Sequence, residues 1–454
     1  RQETVRDVFR QTWDAYYKQA FGYDEYLPLT HSGAGGVDKS AIGSIIVDAL
    51  DTMIIMDLPQ ECSQAREWVS SNLKYDHDIV LNTFDTTTRL LGGLLSAYYL
   101  SKDDLYLDRA VQLGNRLLTA FSSTSALPSA EFNLRSGVKP ATSSTTSIGA
   151  ASLQLELNYL SQIVGESLYR DKADALNKLF ASYHLDAALL PNTVSVYDSS
   201  VPGVAISLGS GAAVHYSGLL KQYLQSNGAN KDLKRFYNNA TADIRERLVQ
   251  KSQNKGYTYI AELPFGRDGE ISPKMDHSVC SFSGTLALGA AKANPKDNSD
   301  LRLAFELART CMAMYTNTAS GLAPAAAFFN NTQSDGADDM LIRPAYAQNL
   351  QSADTVESLF ILWRITGDTV YREWGWRIFV NFVEQTRVPG GSSARGYCSV
   401  EDVTKNPAKL LNRMDPAWMA KTLKFLYLLF DDEGTLPLDE VVFSAGGHPF
   451  PRFT

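Results

Sequence analysis

Apolar residues recur along this chain with a period near 3.6, the spacing that gathers a stripe on one side of a helix. In the first segment Val5, Phe9, Trp13, Tyr16 and Tyr17 fall on one face. Comparable faces recur near residues 2–20, 40–57, 62–74, 84–100, 104–122, 147–164, 167–183, 211–226, 231–249, 280–292, 299–317, 355–366, 369–387 and 413–430. Short polar or Gly/Pro breaks such as Thr366-Gly367-Asp368 and Pro389-Gly390-Gly391 separate many of them. Alternating strand patterns are few. Val194 to Tyr197 and Tyr257 to Ala261 are the clearest, and they read as small hairpins in long loops. Helices paired at intervals of roughly 50–60 residues, with no Pro/Ser linker or charge block, predict an all-α fold. A single closed toroid of helical hairpins over 1–454 fits this pattern better than separate bundles.

Composition narrows the partners. The chain has 454 residues, 44% hydrophobic and 20% charged, enough to build a large core around a deep cleft. Its 42 Lys and Arg against 50 Asp and Glu give a net charge of −8. That balance argues against nucleic acid or an anionic membrane as a partner, because both need a basic face. No stretch approaches the roughly 18 uninterrupted apolar residues of a membrane span. The opening Arg1-Gln2-Glu3-Thr4 reads as the start of a mature or trimmed chain and carries no message about secretion. Cys62, Cys280, Cys311 and Cys398 lack C-x-x-C spacing, which argues against a zinc knuckle or redox pair. Spacing alone leaves them as four buried thiols or as disulfides of an oxidising compartment with unspecified partners. The sequons Asn239-Ala240-Thr241 and Asn330-Asn331-Thr332 permit a secretory reading without requiring it.

Most catalytic signatures are missing. There is no H-E-x-x-H, the six histidines are scattered, and no G-x-S-x-G occurs. Gly33-Ala34-Gly35-Gly36 lacks the preceding strand of a dinucleotide loop. What remains is a set of carboxylates near helix starts. Asp85 and Arg89 are spaced i, i+4 at the head of an apolar helix, a spacing that also suits an ordinary helix-end ion pair. Asp354 and Glu357 flank the start of Val356-Glu357-Ser358-Leu359-Phe360, where capping alone would explain an Asp. Asp276-His277 precedes another helix in the same way. Asp48 and Asp51 lie inside an apolar helix, must find partners there, and read as structural. Paired acids facing a cleft are the chemistry of glycoside hydrolysis. The 22 Tyr, 20 Phe and 6 Trp would suit sugar stacking, although core packing accounts for most of them.

Longer strings add a resemblance over nearly the whole chain. Asp48-Ala49-Leu50-Asp51-Thr52-Met53, Thr83-Phe84-Asp85-Thr86-Thr87-Thr88-Arg89 and Lys274-Met275-Asp276-His277-Ser278-Val279-Cys280 carry part of it. Val356 through Asp368, Tyr371-Arg372-Glu373-Trp374-Gly375-Trp376, Lys421 through Phe430 and His448-Pro449 carry the rest. Together they resemble glycoside hydrolase family 47, the class I α-1,2-mannosidases. The resemblance implies an (α/α)7 barrel, a Cys280–Cys311 disulfide, and a secreted or secretory-lumen protein. It also implies removal of α-1,2-linked mannose from N-glycans with a calcium ion at the barrel floor.

Measured against that family, the functional positions are altered. The Glu of the F-E-T-T-x-R motif is Asp85, with Arg89 retained, and R-P-E becomes Ser352-Ala353-Asp354. The catalytic Asp of A-D-S-Y-Y-E is Ala213, and the Glu of that string is Ser217. Gly149 stands for a further acid, Ala323-Pro324-Ala325 for S-P-E, and Lys421 for the Glu of E-T-L-K-Y. F-N-T-E-A-H-P reads Phe443-Ser444-Ala445-Gly446-Gly447-His448-Pro449, so the calcium-binding Thr and its neighbouring Glu go together. Calcium takes six to eight oxygens, and charged ones raise its affinity. The expectation is therefore no metal cofactor, with the Lys421 ammonium standing where the ion would be. The expected catalytic pair is Asp85 as acid and Asp354 as base or nucleophile. Arg89, Asp276, His277, Glu357 and Lys421 are the expected substrate contacts of a monomer acting on an oligosaccharide. Two other readings stand beside this one: a glycan-binding or quality-control protein without turnover, and an authentic α-1,2-mannosidase.

Overall fold

The computed structural model describes residues 1–35, 42–121, 125–140, 144–209, 211–293, 298–331, 338–389 and 396–453. Gly36, Thr332, Gly390 and Gly391, named above in motifs and breaks, lie outside them. The described residues include fourteen α-helices of seven residues or more, and these alternate between two rings. The inner ring is Ser44–Ile55, Gly92–Ser101, Gln154–Val164, Ala212–Gln225, Ser281–Lys292, Asp354–Thr366 and Leu423–Leu429. The outer ring is Gln2–Ala20, Pro59–Ser71, Asp104–Leu117, Ser167–Asp186, Lys231–Arg247, Ser299–Thr316 and Val370–Thr386.

Hydrophobic patterning decides which ring a helix joins. Ser44–Ile55 buries every residue from Ile45 to Met53 and is enclosed on all sides. Lys231–Arg247 buries one stripe, Leu233, Phe236, Tyr237, Ala240, Thr241, Asp243 and Ile244, with Asp243 paired to Arg247 and Arg267, and leaves other charges such as Asp232 and Arg235 exposed. Each inner helix packs on the next, and Leu423–Leu429 returns to Ser44–Ile55 to close the ring. Across that seam Thr52 Oγ1 donates to the Ala420 carbonyl at 3.2 Å. The (α/α)7 barrel implied by the resemblance is the fold of this chain.

Successive helices alternate in direction, so all seven inner helices point the same way and their N-termini share one face. Six of the seven small sheets among the described residues lie in the connections that lead into that face. Val249–Lys251 and Thr258–Ile260 form a local hairpin, as expected. Thr193–Ser195 does not: it pairs with Thr145–Ser147, a strand from the preceding connection. The seventh sheet, Val441–Phe443 with Pro449–Pro451, enters the bore from the opposite end. It packs on inner helices Ala212–Gln225 and Gly92–Ser101, and its tip buries Ser444 and His448 completely. Cys280 and Cys311 form a disulfide between an inner helix start and its outer partner, while Cys62 and Cys398 are free. No helix among the described residues is long and apolar enough to cross a membrane.

Candidate active site on the barrel axis

The floor of the bore is a buried network of charges. Asp48 and Asp51 sit one turn apart on an inner helix, and both aim at the hairpin tip. His448 places Nδ1 2.8 Å from Asp51 Oδ2 and Nε2 3.2 Å from Asp48 Oδ1. Lys424 Nζ donates to Asp51 Oδ2 at 2.8 Å and to the Gly447 carbonyl at 3.0 Å, and Ser96 Oγ donates to the same carboxylate oxygen at 3.0 Å. Burial would raise both carboxyls, but Arg89 and His448 around Asp48, and Lys424 and His448 around Asp51, hold them below the usual range. Burial likewise pulls the His448 ring down, and the two aspartates outweigh it and favour the imidazolium. Asp48 and Asp51 thus have the buried partners that charges inside an apolar helix require.

Beside this network Glu357 lies between two ammonium groups. Lys221 Nζ is 3.3 Å from its Oε1, and Lys421 Nζ is 3.2 Å from its Oε2. Lys421 Nζ also donates to the Ala445 carbonyl at 3.2 Å. Burial would raise Glu357, but the two lysines hold it below its ordinary value; for Lys421, burial lowers and Glu357 raises, with a net rise. Lys421 lies in a π-helical turn, Trp418–Thr422, and Arg89 in another, Thr86–Leu91. Such turns are rare and gather at functional positions.

Backbone crowds two of the glycines singled out in the sequence, Gly149 and Gly446. A Cβ at Gly149 would lie 2.0 Å from the Gly211 carbonyl oxygen, and one at Gly446 would lie 2.3 Å from that of Thr88. Neither position accepts a side chain without moving main chain. Gly446→Ala is expected to destabilise the protein by about 1–3 kcal/mol through overpacking, read as a lower urea midpoint. Gly218→Ala, whose Cβ meets nothing within 4 Å, is the matched control and is expected to raise the midpoint as helix propensity dictates.

The upper wall holds the expected catalytic groups. Arg89 Nε donates to Asp48 Oδ2 at 2.8 Å. The i, i+4 partner Asp85 is exposed and acts on Arg89 only through space, because the π-helical turn between them shifts the register that would stack them. A third carboxylate, Asp415, also acts on Arg89 through space, so the guanidinium bonded to Asp48 feels the charges of Asp415 and Asp85 as well. Its Nη2 is buried and makes no hydrogen bond. Asp415 accepts from the Ala417 N–H at 2.9 Å, and its own N–H donates to Gln351 Oε1 at 3.1 Å. Burial pushes its carboxyl up, against the pull of Arg89. Gln351 takes a φ of +59°, a left-handed strain for a non-glycine residue that gathers at functional sites. Asp415 escaped the sequence reading because an Asp before a helix-starting Pro looks like a cap. The useful signal was positional: like Asp85, Asp276 and Asp354, it marks the start of an inner helix.

Asp354 accepts from Ser352 Oγ, and its charge acts on Lys421, His277 and Tyr315. His277 Nε2 lies 2.8 Å from Thr355 Oγ1 and 3.2 Å from Tyr315 Oη, and burial lowers its pKa. Asp276 turns its carboxylate to Lys274 at 2.6 Å. The structure thus pairs Glu357 with Lys421, brings the charge of Asp354 to bear on Lys421 and His277, and ties Asp415 to the segment before Asp354 through Gln351, while the charges of Asp85 and Asp415 both act on Arg89.

Comparison with known proteins decides the lineage. The model of glycosyl hydrolase family 47 matches residues 8–452. The chain belongs to glycosyl hydrolase family 47. A family-47 relative from Candida albicans, a mannosyl-oligosaccharide 1,2-alpha-mannosidase, is 40% identical over 100% of this chain and 83% of its own length. An endoplasmic reticulum mannosyl-oligosaccharide 1,2-alpha-mannosidase of Schizosaccharomyces pombe is 37% identical over 100% of this chain and 89% of its own. The solved alpha-1,2-mannosidase of Trichoderma reesei superposes with a TM-score of 0.89 at 23% identity, covering 100% and 99% of the two chains, a likeness of fold. Against this family-47 background, the described residues hold no group of three or more His, Cys, Asp or Glu placed to grip a metal ion.

Proposed function

We propose that this family-47 chain hydrolyses α-linked mannose from glycans in a secretory-pathway lumen, using Asp85 and Asp415, whose charges both act on Arg89. The observation that carries the reading is Arg89, bonded to Asp48 with one buried N–H group left unpaired, at the N-terminal face of the inner ring where the charges of Asp85 and Asp415 act on it. Asp48 is spent on Arg89 and His448, which leaves the other two for chemistry. Asp85 gives its proton to the glycosidic oxygen as the bond to the anomeric carbon breaks. Asp415 takes a proton from the water whose oxygen forms the new bond. A carboxyl raised by burial is the stronger base, which suits Asp415 to that task. Arg89 Nη2 is a desolvated donor for a sugar hydroxyl, and Asp354 is a further carboxylate at the start of a neighbouring inner helix. Mannose as the sugar, the α-1,2 linkage and the lumenal setting come from the relatives' activities and locations; the Cys280–Cys311 disulfide fits an oxidising lumen.

The donor set does not fit calcium. Both oxygens of Glu357 and the carbonyls of Ala445 and Gly447 face ammonium groups, so no step is routed through a divalent ion. Aryl α-mannosides and high-mannose glycans, assayed with and without EDTA, test the reading. Mannose release that persists in EDTA is expected, and EDTA-sensitive release defeats the metal-free part. Ala213 favours a second reading, capture without turnover, because it stands where the family keeps an acid. Glycan binding with no product would establish that alternative and end the hydrolase proposal.

A further inference from the structure

We infer that Lys421, backed by Lys221, is a tethered cation that does the work of a divalent ion on the barrel axis and holds the hydroxyls of a bound hexose. The inference deepens the proposed hydrolase reading, but its first test does not depend on turnover. Three observations carry it. Lys421 Nζ lies between an anionic oxygen of Glu357 and the neutral carbonyl oxygen of Ala445, each at 3.2 Å, the mixed oxygen company that hard cations keep. The second Glu357 oxygen faces Lys221 Nζ at 3.3 Å, so two unit charges flank one carboxylate and sum to the charge of a single divalent ion. The next carbonyl of the hairpin tip, Gly447, faces Lys424 Nζ at 3.0 Å.

These ammonium groups differ in what they can still offer. Lys424 is sealed, at 0% exposure, and serves the fold. Lys421 is 17% exposed. An ammonium has three N–H donors, and Lys421 uses two on Glu357 and Ala445. Its third is the donor left for a sugar hydroxyl. Asp354 and Asp48 both act electrostatically on Lys421, so it sits among carboxylates beyond Glu357. A tethered cation cannot be chelated away, and it costs no search for a scarce ion.

Calorimetric titration of the wild-type chain with calcium chloride is the first test. No saturable heat and no thermal shift are expected up to about 1 mM calcium, beyond the range of typical sensor sites. One tightly bound calcium per chain would overturn the inference, whether or not the protein turns over glycans. An inactive protein that ignores calcium would defeat the proposed hydrolysis and leave the cation assignment supported. Lys421→Gln is the second test, with methyl α-mannoside as the probe in NMR titration. Binding is expected to weaken about 10- to 100-fold, the usual worth of a charge-assisted hydrogen bond. Lys421→Arg should restore most of it, and in kinetics Lys421→Gln should raise KM more than it lowers kcat. Unchanged mannoside affinity in a Lys421→Gln variant with a native melting profile would refute the sugar contact. If that variant does not fold, Lys421→Arg alone decides: affinity near wild type is expected, and complete loss of mannoside binding in a folded Arg variant would refute it.

Discussion

Asp415→Asn is expected to lower kcat/KM on an aryl α-mannoside by about 10²–10⁴-fold while leaving the thermal midpoint close to wild type. The amide keeps the shape of the side chain and can still accept from the Ala417 N–H, so the local fold holds. It cannot take a proton from water. The pH profile separates this role from a structural one. In the wild type, activity should fall as pH drops through the raised pKa of Asp415, because the base must be ionised to act. That acid limb should disappear from the residual activity of Asp415→Asn. Asp354→Asn is the discriminating companion: a larger loss there than at Asp415 would return the base role to Asp354.

Lys424→Met is expected to destabilise the fold by about 3–5 kcal/mol, the usual cost of leaving one member of a buried ion pair alone. Lys424 and Asp51 are both fully buried, and the substitution strips a donor from the Gly447 carbonyl as well. Urea denaturation followed by circular dichroism reads the effect. Pairing Lys424→Met with Asp51→Asn should recover much of the loss, because neutral side chains of similar size remove the uncompensated charge. The pH dependence has a definite sign. The folded pKa of His448 is raised above its ordinary 6.5, so its contribution is complete below about pH 6.5 and is lost as pH climbs through the folded value. Asp48, Asp51 and Glu357 are held low, so theirs is complete above their ordinary range and is lost on acidification. The wild type should therefore be most stable in the mildly acidic range between those limits. His448→Gln should flatten the alkaline side.

The helices were legible because each inner or outer helix carries its own burial pattern in a local stretch of sequence. Val5, Phe9, Trp13 and Tyr16 announce the first outer helix without help from elsewhere, and all four are buried. Pairing across distance was not legible. Nothing local in Thr193–Ser195 marks Thr145–Ser147 as its partner. Arg89 shows a subtler limit: its i, i+4 relation to Asp85 holds only for a regular α-helix, and one π-helical turn sends its hydrogen bond to Asp48 instead. Lys421 and Glu357 were flagged by their departure from, or agreement with, the family strings. Lys221, which completes their triad, went unnoticed because a lysine on an amphipathic helix ordinarily reaches water. Gly149 and Gly446 were read as lost acids; only coordinates reveal how closely the Gly211 and Thr88 carbonyls approach them.

The hairpin at Val441–Phe443 and Pro449–Pro451 has a consequence for how the molecule is made. His448, near the end of the chain, is the keystone between two aspartates on the first inner helix. Until Pro451 has left the ribosome, Asp48 and Asp51 face each other in an unfinished bore with no imidazole between them. The charge network at the centre of the barrel can therefore close only once the hairpin that carries His448 has been made and has docked.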